Sequence, residues 1–163
     1  MQDYLMTLLG GLAITLQLTA LSLLLGVLLA AGMTWVLERR IPVATQLVQL
    51  WVLIFTGTPL LIQIFLIYYG PGQFEWLKSG PLWPLLKQPW FCAVLALGFN
   101  TAAYSTRLFK GALDAIPAGE VEACRALGFS AGQTLWMKAR HAARRLVPAY
   151  SNEVILVLKG SSL

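Results

Sequence analysis

"YLMTLLGGLAITLQLTALSLLLGVLLAAGMTWVL", Tyr4 to Leu37, runs for 34 residues without an Asp, Glu, Lys, Arg or His. A helix needs about 20 apolar residues to cross the hydrocarbon core of a bilayer, so this stretch has length to spare. Two more stretches are equally free of charge: Ile41 to Phe74, again 34 residues, and Gln88 to Thr106, 19 residues. They predict an all-α, polytopic membrane protein with three spans. The composition agrees. Hydrophobic residues make up 58% of the 163-residue chain and charged residues 12%, about half the charged share of an ordinary soluble domain. The first stretch is not read as a secretory signal, because no basic segment precedes it and no polar mature chain follows.

The position of the charge matters more than its sum of +5. Arg39 and Arg40 follow the first stretch, while Glu75, Lys78 and Lys87 follow the second. The third is followed by Lys110, Arg125, Lys138, Arg140, Arg144 and Arg145, with Arg107 at its edge. This bias predicts that the first and third connections are cytoplasmic and the N-terminus is outside. Clustered arginine is also a nucleic-acid signature. Beside so much apolar chain, anionic lipid headgroups are the simpler partner, and no nucleic acid is expected. Cys92 and Cys124 fall near opposite membrane faces on this topology, which argues against a disulfide. No His or Cys spacing resembles a metal site, and no activated nucleophile can be assembled around the one histidine, so neither catalytic residues nor a cofactor is expected.

Span one is placed at about Leu12 to Leu37, closed by Arg39, Arg40 and Pro42. Gly26, Ala30 and Ala31 offer a strip for close helix approach, or simply reflect how common such residues are in membrane helices. The second stretch is longer than one upright span and contains "FTGTPLLIQIFLIYYG" at its centre. Pro59 cannot take a normal helical hydrogen bond, so the helix must kink or restart there. Lipid tolerates such a break only where protein or a cavity satisfies the freed groups. Thr56, Thr58 and Gln63 are the candidates, and the break is read either as structural or as bordering a transport path. Tyr68 and Tyr69 suit an interfacial belt.

Residues 70–89 hold Pro71, Pro81, Pro84 and Pro89 with Trp76 and Trp83, as an outer loop with a short surface helix would. Span three carries Asn100, whose amide needs a partner at membrane depth. Gly98 and Ala102 form a second small-residue pair, and Arg107 sits where it can snorkel.

Beyond Lys110 the pattern changes. Pro117 can open a helix and Gly128 close one. Between them Val121, Cys124 and Leu127 form a narrow apolar edge, and Glu122 can pair with Arg125. Ser130 and Gln133 match a capping box for a second helix, which reads as amphipathic and interfacial. Its apolar edge is Leu135, Ala139, Ala142 and Leu146. The run from Glu153 to Lys159 is too short to cross a membrane by itself. It marks either an end at the surface or the start of a further span. The edge of the first inner helix could be buried on this protein's own surface or in a groove of a soluble partner, and residue chemistry leaves both open.

These segments carry a resemblance. "EVEACRALG", Glu120 to Gly128, resembles the EAA signature of the permease subunits of bacterial ATP-driven importers for polar amino acids. Glu122 and Ala123 stand at its first two positions, Cys124 replaces the second alanine, and Gly128 is its glycine. The "TGTPLL" segment resembles that subfamily's hallmark. "LFTGTPLLIQIFLIYYGPGQF" and "YSNEVILVLKGSSL" are similar in detail to proteobacterial arginine-transport permeases. The match covers essentially all of residues 1–163, with 110–147 as the cytoplasmic region.

The resemblance implies a multi-pass permease of the bacterial inner membrane that catalyses no chemistry itself. The partners it implies are a soluble ATP-hydrolysing subunit, a second and different permease chain, and a periplasmic amino-acid-binding protein. Glu122, Ala123, Arg125 and Gly128 would form the coupling helix seated in the ATPase. Thr56, Gln63, Asn100 and Tyr104 are the candidates for the translocation path. Three departures stand out. Many relatives are acidic where this chain has Arg107, so recognition of a cationic substrate would fall to another subunit. Ala139 and Arg140 replace the family's Leu-Pro pair. About two further spans of the five-span fold would follow Leu163, making this a C-terminally incomplete form. The rival readings are a secondary transporter or channel component, which ATP would not drive, and a membrane anchor with no flux.

Overall fold

The computed structural model describes residues 2–161; Ser162 and Leu163, at the end of the "YSNEVILVLKGSSL" segment, lie outside them. All regular structure among the described residues is helical, in the order α1 (Gln2–Arg39), α2 (Pro42–Gly57), α3 (Leu60–Tyr69), α4 (Glu75–Lys78), α5 (Trp83–Leu86), α6 (Pro89–Asp114), α7 (Ala118–Ala126) and α8 (Ala131–Gly160). Helix α6 forms the centre. It packs most extensively on α1, then on α8, α3 and α2.

The three charge-free stretches are not three equivalent rods. Among the described residues only α1, over Leu8–Arg39, is by itself long and apolar enough to cross a membrane. At 1.5 Å per residue its 38 residues extend about 57 Å. Leu12, Leu24 and Leu28 point outward, as lipid contact requires. Helices α2 and α3 pass only as a pair, bent by 109°. Helix α6 turns its polar residues Thr101, Ser105 and Thr106 inward, where all three are buried.

The small-residue strip is the α1–α6 seam. Ala30 and Ala102 are fully buried. A Cβ on Gly26 would fall 2.5 Å from Thr101 Cγ2, and one on Gly98 would fall 2.6 Å from Leu25 Cδ2. These glycines let the backbones approach as van der Waals packing in a membrane favours. Ala31 lies off the seam and is exposed. Helix α2 is pinned to α6 by an aromatic cluster, with Trp51 stacked on Phe55 at 4.4 Å and Phe99 edge-on to Trp51 at 5.1 Å. The proline-rich connection forms a 3-10 turn at Pro71–Gln73 followed by α4 and α5, with Trp76 exposed.

The C-terminal part also differs from the sequence reading. The basic amphipathic helix and the C-terminal apolar run are a single 30-residue helix, α8, passing through Pro148. The capping box at Ser130 and Gln133 forms as read, with both reciprocal hydrogen bonds. Pro148 removes one backbone bond, to the carbonyl of residue 144, on an exposed face. Packing on both sides offsets that loss. Ala142 clusters with Leu113 and Ile116, and Gly160 fits so closely that a Cβ would lie 3.0 Å from Leu60 and 3.4 Å from Leu97. Helix α8 therefore returns along α6 instead of stopping at the surface.

Candidate functional site

The break at Gly57–Pro59 exposes carbonyls that a continuous helix would have used. Gln63, only 5% exposed, supplies the donors. Its Nε2 donates to Phe55 O at 2.9 Å, Thr58 O at 3.0 Å and Thr58 Oγ1 at 2.8 Å. Asn100 on α6 completes the set, its Nδ2 donating to Gln63 Oε1 at 3.0 Å and to Phe55 O at 3.1 Å. The threonine hydroxyls bond back into their own helix, Thr56 to Val52 O and Thr58 to Ile54 O. Thr56 also accepts from Arg107 Nη1 at 3.5 Å.

Asn100 has a second neighbour. With Leu97, Thr101 and Tyr104 it lines a cleft of about 210 Å³ closed by Leu60 from α3 and by Glu153, Leu156 and Val157 from α8. The cleft mixes apolar walls with a few convergent polar groups, as small-molecule sites do. The Thr101 hydroxyl has no hydrogen-bond partner among the described residues. Glu153 is 5% exposed, a carboxylate removed from solvent on the wall of this cleft. Of the four residues expected on the path, the structure brings Asn100 and Tyr104 into this cleft. Gln63 sits beside it, bonded to Asn100 and holding the break, whereas Thr56 bonds back to Val52 O and is not among the lining residues. Glu153 escapes a sequence reading that detaches the C-terminal run from the bundle. In one continuous helix, Glu153, Leu156, Val157 and Gly160 share a face, and that periodicity is the available signal. Arg107, turned toward Thr56, is not among the cleft-lining residues.

At the basic end of the bundle, α7 stands proud of the surface. Cys124 is buried and Val121 half-buried, while Glu122, Ala123, Arg125 and Gly128 are all exposed. Leu127, expected on the buried edge, is 75% exposed, because the helix ends before its side chain can turn inward. The anticipated Glu122–Arg125 pair is not formed; Glu120 instead approaches His141 Nδ1 at 3.4 Å. Gly128 adopts φ +78°. Phe129 N donates to Cys124 O and Gly128 N to Arg125 O, both at 3.0 Å, which is the two-bond helix stop that favours glycine. Beneath α7, Glu38 of α1 receives Lys110 of α6 at 3.3 Å and Lys138 of α8. That node ties three helices together under the exposed one. Cys92 and Cys124 are both free thiols.

Residues 22–163 match the model of the family described as binding-protein-dependent transport system inner membrane component. The chain is 49% identical to the arginine ABC transporter permease protein ArtM of Haemophilus influenzae, over 99% of this chain and 71% of that protein. With ArtM of Escherichia coli K12 it shares 50% identity over 100% of this chain and 74% of that one. The octopine transport system permease protein OccM of Rhizobium radiobacter is 39% identical over 96% and 64% respectively. Among solved structures, the crystal structure of an amino acid ABC transporter with histidines superposes with a TM-score of 0.83 at 29% identity, covering 99% of this chain and 72% of that one.

Proposed function

We infer the substrate, the partners and the coupling route from one premise: the chain belongs to the binding-protein-dependent transport system inner membrane component family and is a membrane-embedded permease subunit of an amino acid importer. The substrate is a cationic amino acid, arginine before others. The observation that carries this is Glu153, a buried carboxylate on the wall of a cleft that also offers Asn100, Thr101 and Tyr104. A guanidinium is matched geometrically by one carboxylate, and the neutral groups are left to meet the amino acid's own polar atoms. The names of the ArtM relatives point the same way. The objection that Arg107 would repel such a substrate weakens, since its guanidinium is drawn toward Thr56.

Transport is driven from the basic end, which the charge bias places in the cytoplasm with the N-terminus in the periplasm of a bacterial inner membrane. There the exposed Glu122, Ala123, Arg125 and Gly128 of the α7 segment engage a soluble ATP-hydrolysing subunit. A second permease chain completes the pore, and a periplasmic amino-acid-binding protein delivers the substrate. Motion of α7 reaches the cleft through α8, which passes from beside α7 to Glu153 without interruption.

The test uses the assembled importer in proteoliposomes with ATP at the α7 side and labelled arginine with the binding protein at the other. Glu153→Gln should lower arginine uptake about tenfold or more, the loss of a charge-assisted contact, while ATP hydrolysis continues. Unchanged arginine uptake by that variant overturns the assignment.

A further inference from the structure

Helices α1, α6 and α8 enclose an apolar cleft of about 270 Å³ that no part of the translocation reading uses; Ala31, Thr34, Trp35, Phe109, Leu135 and Ala139 line it. Leu135 also lines a neighbouring pocket of about 330 Å³, whose other lining residues include Glu38, Arg39, Arg125 and Lys138. The two together have an apolar body below and a charged mouth at the basic end. Counted as ions, Glu38 against Arg39, Arg125 and Lys138 leaves the mouth at +2. The surplus is also unmatched. Glu38 is taken by Lys110 and Lys138, whereas Arg39 and Arg125 have no carboxylate within 4 Å among the described residues. Arg39 is instead held over the Trp35 ring, 5.6 Å from its centroid, so one side chain of the apolar wall positions one cation of the mouth.

We propose that this composite cleft binds a single anionic phospholipid, its headgroup phosphate at Arg39 and Arg125 and an acyl chain along the wall formed by Trp35, Phe109 and Ala139. A zwitterionic lipid brings its phosphate with a cation attached, which a mouth already at +2 disfavours. A soluble phosphate would leave the apolar wall empty. One molecule that uses both halves is a phospholipid, and the surplus of positive charge favours one with net negative charge, as basic pockets between membrane helices do elsewhere. The site borders α7 through Val121 and Arg125, which places the lipid against the helix proposed to receive the ATPase stroke. The identification of the cleft stands on its own geometry, independently of the arginine assignment.

The experiment reads occupancy and not transport. The chain, co-expressed with its partner subunits, is placed in vesicles of phosphatidylcholine doped with phosphatidylglycerol carrying a photoreactive group in one acyl chain. Cross-linked peptides are then mapped. Labelling should concentrate on residues 31–39 of α1 and 135–146 of α8, and a phosphatidylcholine analogue should label these several-fold less. Arg39→Gln should reduce that labelling about fivefold, the share of one basic contact at the membrane surface. Ala139→Phe, which fills the apolar body, should reduce it as far without touching the charge. Arg144→Gln, on the opposite face of α8, should leave it unchanged. Equal labelling by the neutral analogue, or equal loss with Arg144→Gln, reduces the effect to general surface electrostatics and overturns the proposal. Labelling that persists in the lone chain but disappears in the assembled importer gives the cleft to a protein partner and overturns it as well. Inorganic phosphate that competes at millimolar concentration makes the mouth a soluble-anion site, and the lipid assignment then fails too.

Discussion

Asn100 Nδ2 stands 3.0 Å from Gln63 Oε1, joining residues 37 positions apart and steadying the amide that holds the Phe55 and Thr58 carbonyls at the break between α2 and α3. Gln63 by itself holds three acceptors around the break, and Asn100 keeps its amide oriented to do so. Replacing Gln63 with Leu removes every one of those donors while preserving volume. A buried acceptor left unpaired costs about 1–3 kcal/mol, so the thermal midpoint in detergent should fall by several degrees. Asn100→Ala should fall less, because Gln63 retains its own bonds. Equal midpoints for the two variants would show that the side chains do not act in this order.

The glycine at 128 gives a different kind of sensitivity. Its surroundings are open, with nothing within 4 Å of the point a Cβ would occupy, yet its φ is +78°. The strain of a side chain there is therefore in the backbone, about 1–2 kcal/mol for an L-residue in the left-handed region. Gly128→Val should disturb the end of α7 and uncouple ATP hydrolysis from uptake while the membrane helices stay folded. Gly119→Ala supplies the control, since Gly119 lies in α7 with open space around it and no positive φ. Normal ATP-driven uptake by the valine variant in reconstituted vesicles would count against a coupling role for this segment.

Much of this is legible from residue order because the signals are local. The charge-free stretches, the interruption at Pro59, the capping box at Ser130 and Gln133, and the left-handed stop at Gly128 each depend on neighbours within a few positions. What residue order withholds depends on distant packing. The course of α8 is decided by Gly160 meeting Leu60 and Leu97, and without that contact Glu153 reads as part of a surface tail. The chemistry of Asn100 alone demands a partner, but its choice of Gln63 and Phe55 requires the 109° bend between α2 and α3. Leu127 departs from its expected burial for the converse reason. Periodicity marks which side chains share a face, whereas the helix stop decides whether the last of them reaches the core.

The α1–α6 seam should be intolerant of a single methyl group. Gly26→Ala would put its Cβ 2.5 Å from Thr101 Cγ2, 2.8 Å from Thr101 Cβ and 3.3 Å from the backbone nitrogen of Ala102. The β-branched Thr101 has few rotamers to escape into, so the helices must part, at about 1–3 kcal/mol for an overpacked contact. Gly32→Ala, on the same helix with nothing within 4 Å, should be neutral or slightly stabilising. Since Thr101 also lines the Glu153 cleft, the Gly26 variant should lose arginine uptake by more than its stability loss explains. Thermal midpoints and uptake measured together test this; parallel changes in both would confine the seam to a structural role.

The node under α7 makes the last prediction. Glu38 is the one carboxylate shared by Lys110 and Lys138 among the described residues, with side-chain exposures of 18% for Glu38 and 14% for Lys138. Glu38→Gln would leave two ammonium groups facing each other across α6 and α8, with Asp114 still paired to Lys110 but nothing opposite Lys138. An exposed pair contributes at most about 1 kcal/mol, and removing one partner of a fully buried pair costs about 3 kcal/mol or more; this half-buried node should fall between them. The double variant Glu38→Gln with Lys138→Met should recover part of the loss, because it removes the stranded charge together with its partner. High salt should narrow the gap between wild type and the single variant by screening the lysine–lysine repulsion. A double variant no more stable than Glu38→Gln alone would mean that Lys138 finds another counter-charge and that the node does not hold α8 to α1.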